Sequence, residues 1–244
     1  VVFDSDHYLP QFNLLIDEIS KFSEDLQNGE NIVSLERALL YGQNIFAPFF
    51  KKANFTSLDC SPKSADERGA YNRGLIDDSR FIQTECESIR CSPDNLKVQS
   101  NFADLLMIPN LVHHVANQSD LFTEAFRVTK PGGHLFVFEP ILRELHQEPD
   151  DFLRYTPYGM IQILETVGFK ILDKKTTGGP FTAIAYCWNQ ALQYIPDQER
   201  VGWSEWFEQH FKDLELLESK YTHNLIRKHT SFPTAFAITC EKPF

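Results

Sequence analysis

The chain has 244 residues and a mass of 28.2 kDa, with 42% hydrophobic and 23% charged residues. That length and composition suit one large packed domain and exclude wholesale disorder. The formal net charge is -11, which argues against a nucleic-acid partner, because binding phosphates needs basic patches. No apolar run reaches the ~20 residues of a membrane span, so no membrane association is expected. Five scattered cysteines, Cys60, Cys86, Cys91, Cys187 and Cys240, contain no CxxC pair. They fit a reducing, cytoplasmic setting better than a disulfide framework. The chain begins at Val1 without a basic-then-apolar leader, so no signal peptide is expected.

In chain order, residues 9–26 carry apolar side chains at helical spacing and stop at Asn28-Gly29, which predicts an N-terminal helical segment over 1–30. Residues 38–41 (ALLY) read as a buried strand ending at Gly42, followed by a helical piece at 45–52 and a strand at 55–59 that ends on Asp59. Residues 61–80 are polar and turn-rich, with a capping-box pattern at 64–67. A weak strand is expected at 81–84. Residues 104–108 form a buried strand closed by Pro109-Asn110. Ser119 is expected to cap a helix running to Val128, and Lys130-Pro131-Gly132-Gly133 is a turn before a strand at 134–139. Beyond these come a helix at 157–167 with Pro157 in its first turn and Gly168 after its end, a strand at 169–172, helices at 181–194 and 205–217, and a last strand at 236–240.

Alternating strands and helices predict an α/β domain with a mostly parallel sheet covered on both faces. Ligands of such sheets bind at the carboxyl ends of the strands. That rule marks Gly42, Asp59, Glu85-Cys86, Ile108 to Asn110 and Glu139-Pro140.

The run EAFRVTKPGG at 124–133, leading into an apolar strand, resembles the class I S-adenosylmethionine-dependent methyltransferases. The likeness extends upstream through ADLLMIPNLVHHVANQ (103–118) and downstream through HQEPDDFLRYTPYGMIQILETVGFKIL (146–172). The downstream segment is similar to the type 11-like sub-group that includes methyltransferases of cell-surface polysaccharide clusters. The resemblance spans about residues 37–172, with the final strand added. It implies a Rossmann-like class I methyltransferase fold with a seven-stranded sheet over residues 31–244. Residues 141–160 would be a lid or substrate segment and 180–230 a helical insertion.

The family's glycine loop after the first strand is degenerate in this chain. In one register Gly42 is the first glycine and Asn44 stands where a later one would, which is workable because Asn tolerates positive φ. In the other, Glu36 is the acid and Gly42 the last glycine, leaving Ala38 and Leu40 where the backbone should approach the cofactor. The first is favoured because 38–41 reads as strand. The resemblance further implies S-adenosylmethionine as cofactor. Asp59 would accept the ribose hydroxyls with Cys60 beside it, Glu85 and Cys86 would lie near the adenine, and Ile108 and Asn110 near the reactive sulfonium. The competing reading of Asp59 is a solvated strand-end acid.

His113-His114 is expected to pack or cap rather than act as a base, and no further ligands at metal spacing accompany it, so no metal site is expected. The segment 143–155 is dense in chemistry. His146 is the candidate general base, with Glu148 or Asp150 to orient it, and Arg143, Glu148, Arg154 and Tyr155 are candidate contacts to an anionic or sugar-like acceptor. The alternative is a charged surface segment capping the next helix. The polar cluster 67–73 reads as a solvated helix. Phe181, Tyr186, Trp188, Tyr194, Trp203, Trp206 and Phe207 read as core or a homodimer face. The expected activity is methyl transfer to an oxygen or nitrogen of a small-molecule or sugar-like acceptor. The rival is a non-catalytic methyltransferase-like binding or assembly protein. A nicotinamide oxidoreductase ranks lower for want of a G-x-G-x-x-G turn.

Overall fold

The computed structural model describes residues 11–36, 43–60, 84–146, 148–192, 194–221 and 232–244. The expected strand at 38–41, the turn glycine Gly42, the capping box at 64–67, the cluster 67–73 and most of the strand at 81–84 lie outside these residues.

The elements in order are α1 (Gln11–Asp25), β1 (Asn31–Glu36), β2 (Gln43–Asn44), β3 (Asn54–Asp59), β4 (Thr84–Glu85), β5 (Ser88–Arg90), β6 (Ala103–Pro109), α2 (Gln118–Val128), β7 (Thr129–Pro140), α3 (Pro157–Val167), β8 (Lys170–Thr177), α4 (Pro180–Leu192), α5 (Asp197–Tyr221) and β9 (Ala235–Glu241). Short 3-10 turns lie at Ala47–Phe50 and Val112–His114. The main sheet has seven strands in the order β5-β3-β1-β6-β7-β9-β8. β5, β3, β1, β6 and β7 are parallel, while β9 runs antiparallel between β7 and β8. The strand order reverses direction between β1 and β6, which is where a ligand crevice opens in a sheet of this kind.

Two strand assignments differ from expectation. The first sheet strand is Asn31–Glu36, whose Ile32, Val33 and Leu35 are fully buried, as a strand covered on both faces requires. Glu36 therefore stands at the carboxyl end of this strand. The third sheet strand is β5, so Glu85 and Cys86 precede it instead of following it. Thr84–Glu85 pairs antiparallel with Gln43–Asn44 in a separate two-stranded ladder. The expected helix at 45–52 shortens to the 3-10 turn Ala47–Phe50. Asn117, not Ser119, caps α2, accepting from the Asp120 backbone N–H.

Helices cover both faces. α2 and α3 pack through Leu121, Phe122, Ala125, Met160 and Leu164 on one side. α1 packs through Phe12, Leu15 and Ile19 against Ile32, Phe136 and Phe138 on the other, so the N-terminal helix shares the sheet's core. The buried Glu18 of α1 also receives Lys175 of β8, with both carboxylate oxygens at 2.8 Å. α4 and α5 form a small cluster of their own around Ala185, Phe207 and Phe211.

The Pro-Gly-Gly turn has a steric explanation. Between β6 and β7 the register jumps from Ala103↔Thr129 to Leu105↔His134, so residues 130–133 bulge out of the ladder. A Cβ at Gly133 would lie 2.9 Å from the Ala103 carbonyl and 3.0 Å from that of Lys130, both backbone and unable to move aside. Gly133→Ala should therefore lower stability by about 1–3 kcal/mol, the range for forcing atoms into a packed site. Gly202, inside α5 with nothing within 4 Å of its would-be Cβ, is the control. Gly202→Ala should raise stability by roughly 0.5–1 kcal/mol through helix propensity. Thermal or urea unfolding of the two variants tests the pair.

Candidate functional site

Two buried carboxylates stand at the carboxyl edge of the sheet. Glu36 ends β1 and is 3% exposed. Asn44 Nδ2 donates to Glu36 Oε1 at 2.5 Å and to Ser57 Oγ at 3.1 Å, and Asn44 Oδ1 accepts from the Phe46 and Ala47 backbone N–H groups at 2.7 and 3.0 Å. The amide of Asn44 is thus fully used in locking the 46–50 turn onto the end of β1. Ser57 Oγ continues the network to Ser88 Oγ at 2.8 Å, linking β3 and β5. Burial pushes Glu36 up to about 8; the Asn44 hydrogen bond opposes the shift and Asp59, its register partner on β3, adds to it by repulsion. Cys86 lies close enough for Glu36 to help burial raise its thiol.

Asp59 ends β3 half-buried, at the position expected for a ribose-binding acid. Beside it, Cys60 and Cys91 place their sulfurs 3.4 Å apart. The hydrogen bond between them raises the Cys60 thiol and lowers that of Cys91. Cys91 follows β5 and so occupies the place in the fold that had been expected for Glu85 and Cys86. Of Glu85 only the backbone pairing with Gln43 is described. Ile108 is fully buried within β6 and serves the core. Asn110 follows β6 with φ +60, a left-handed bend that Asn tolerates, and its N–H donates to Phe138 O at 2.7 Å.

The second carboxylate, Glu139, ends β7 and is 2% exposed. It accepts from the backbone N–H of Val112 at 2.6 Å and of His113 at 3.3 Å, and faces His113 Nδ1 at 2.6 Å. Burial raises it to about 8 against the pull of those backbone donors. His114 Nδ1 donates to Asp150 O at 2.6 Å, and the Phe152 N–H donates to His113 O at 2.9 Å. The segment after β7 is thereby stitched to the turn after β6.

That stitching brings together residues far apart in sequence. The rings of His113 and His114 lie 3.9 Å apart by centroid, and His146 lies 5.3 and 4.8 Å from them. One ring nitrogen from each falls within 4.8 Å of the others. This grouping was not legible from spacing, since 31 residues separate His114 from His146 and only the fold closes the gap. Burial, with repulsion from Arg143 and His113, pushes His146 down to about 4, so its ring is neutral at pH 7 and a weak base.

The other charged residues of this segment hold the segment itself. Asp151 accepts from the His146 N–H at 3.0 Å and from both terminal nitrogens of Arg154, one of them at 2.8 Å. Arg154 also donates to Glu144 O at 3.0 Å. Burial opposes ionisation of Asp151, yet Arg154 and the His146 N–H hold its carboxyl well below the usual range. Arg143 pairs with Glu144 at 3.1 Å, and Glu144 accepts from the Tyr186 hydroxyl of α4. Tyr155 packs against the sheet core, near enough to Glu139 for that group to help burial raise its phenol. Glu148 is exposed.

Glu36 yields a pH test. Its raised folded value, about 8 against an ordinary 4.5, means that the folded chain holds a proton the unfolded chain has released between those limits. The stability this gives is present in full below the unfolded value and is lost as pH rises through the folded one. Glu36→Gln keeps the acceptor for Asn44 and removes the titration. Its melting temperature should gain on the wild type as pH rises from 5 to 9, by the equivalent of a few kcal/mol on the order expected for a shift of this size. Parallel pH-dependent melts that do not diverge would show that Glu36 titrates normally.

Comparison with known proteins agrees with this geometry. Residues 41–137 match the family model described as a methyltransferase domain. No curated relative matches the chain in sequence. Among solved structures, Haemonchus contortus phosphoethanolamine N-methyltransferase 2 in complex with S-adenosyl-L-methionine is 13% identical, over 98% of this chain and 57% of that one, with a TM-score of 0.53. Geranyl diphosphate C-methyltransferase from Streptomyces coelicolor A3(2) is also 13% identical, over 94% and 81%, with a TM-score of 0.53. The [4+2]-cyclase SpnF is 16% identical, over 93% and 81%, with a TM-score of 0.52. At these identities the structures establish fold, and the matched segment contains β6, α2 and the Pro-Gly-Gly turn that carry the sequence likeness. Part of the chain, residues 41–137, is similar to a methyltransferase domain, and the chain has the fold of the class I S-adenosylmethionine-dependent methyltransferases.

Proposed function

We propose that the protein binds S-adenosylmethionine along the carboxyl ends of β1, β3 and β6 and transfers its methyl group to an oxygen or nitrogen of a small-molecule or sugar-like acceptor. The observation that carries this reading is Asp59: a half-exposed carboxylate at the end of the second sheet strand, beside the point where strand order reverses. Its two acceptor oxygens suit the two hydroxyls of a ribose. The match to a methyltransferase domain over 41–137 supports the same assignment.

The bound cofactor would supply an electrophilic methyl group on a sulfonium. The work left to the protein is placement and charge. Glu36, held by Asn44, braces the end of β1. Asn110 turns the chain at the end of β6, and Glu139 fixes the following turn. The segment 141–155 stands over this edge on the acceptor side, tied down by His113, His114 and Tyr186. Arg154 and Arg143 act there mainly through the lid's shape. Holding two reactants in line is the chief contribution such a site makes to rate. The half-exposed Trp203 and Trp206 on α5 support a self-association face.

S-adenosylhomocysteine should bind the purified protein, and Asp59→Ala should weaken it by about 1–3 kcal/mol, the cost of losing hydrogen bonds to a charged group. Isothermal calorimetry reads both. Absence of binding by the folded wild type at millimolar ligand would transfer the assignment to a non-catalytic methyltransferase-like binding protein.

A further inference from the structure

We propose that His113, His114 and His146 form a three-histidine site for a divalent transition-metal ion of the Zn2+ class, with an open position that takes an ionisable oxygen of the methyl acceptor. The use of the metal in methyl transfer rests on the function proposed above; the metal site does not.

The geometry of the ring nitrogens points to it. Each imidazole turns its Nδ1 to an oxygen: His113 to the Glu139 carboxylate at 2.6 Å, His114 to the Asp150 carbonyl at 2.6 Å, His146 to the Glu144 carbonyl at 3.1 Å. Carbonyl oxygens only accept, so His114 and His146 carry their protons on Nδ1 and their lone pairs on Nε2. A metal-bound histidine is held as His114 and His146 are, its second nitrogen donating to a backbone carbonyl. Glu139 is itself fixed by two backbone donors, which sets the His113 ring.

Distance and donor type agree. One ring nitrogen of each histidine lies within 4.8 Å of the others, whereas tetrahedral donors with Zn–N bonds of about 2.0–2.1 Å stand about 3.3 Å apart. The triad has to draw in by at most about 1.5 Å on that bond length. Three neutral imidazoles without a thiolate favour Zn2+, Co2+ or Cu2+ over Mg2+ or Ca2+.

Placement gives the site a use. The cluster sits at the carboxyl ends of β6 and β7, on the same edge of the sheet as Glu36 and Asp59. Three protein ligands leave a fourth tetrahedral position open. An acceptor hydroxyl bound there forms an oxygen–metal bond and releases its proton to solvent, with no change of oxidation state, and becomes a nucleophile at neutral pH.

The test uses the full chain, freed of metal with a chelator and titrated with Co2+ and then Zn2+. The wild type should bind one ion per chain, with visible ligand-field absorption for Co2+ that Zn2+ displaces. His146→Ala should weaken binding by about tenfold or more, and Glu139→Gln by about 10–100-fold, the range for a lost partner behind a ligand. Circular dichroism confirms that each variant is folded. A wild type that shows no Co2+ absorption, or a folded His146→Ala variant that binds as tightly as the wild type, overturns the site. S-adenosylhomocysteine binding is measured on the same samples. Its loss with metal binding intact would sink the methyltransferase reading alone, and metal-binding failure with intact cofactor binding would sink the metal site alone.

Discussion

A carboxylate taken out of water must be given donors, and that requirement organises the carboxyl edge of this sheet. Glu139 meets it with the backbone N–H groups of Val112 and His113 and with the His113 ring. Those bonds join the end of β7 to the turn that follows β6. Once the turn is held, His113 offers its carbonyl to Phe152 and His114 its Nδ1–H to Asp150, and the segment after β7 has nowhere to go but over the strand ends. Removing the one buried acid would leave the turn's donors and the His113 ring without their acceptor, a larger loss than a single hydrogen bond.

Glu36 has the same role at the end of β1. Its donors come from a side chain eight residues on, Asn44, whose carbonyl oxygen also fixes the turn of Ala47–Phe50. Ser57 and Ser88 extend the network across two more strands. The two acids therefore stand at strand ends on either side of β6, beside the topological switch point. Both are held far above the usual carboxylate range by burial.

Between these braces the segment after β7 is largely self-contained. Asp151 binds Arg154 and the His146 N–H, so most of its charges satisfy one another. Its shape comes largely from contacts within it. This also explains how a stretch that reads as substrate-binding in sequence can be occupied with its own architecture: the same Arg that suits an anionic ligand suits a neighbouring carboxylate three residues away.

The sequence by itself determined the α/β class, the helices α1, α2, α3 and α4, the strands β3, β6, β7 and β9, and the acid Asp59 at its strand end. Those elements rest on local signals: apolar periodicity, Pro157 and Gly168 at helix ends, and a Gly133 that only a crowded backbone demands. Only the tertiary structure decided that Asn31–Glu36 is a central strand, since its short apolar run alone does not set it apart and its pairing with β3 and β6 does. The same holds for β5 as third strand, a three-residue segment identified by its register with β3 and not by hydrophobicity. The pairing of Glu139 with His113, and of His146 with the doublet 113–114, belongs wholly to tertiary structure. Residues 26 and more apart meet there because β6 and β7 are parallel neighbours whose carboxyl ends must lie side by side.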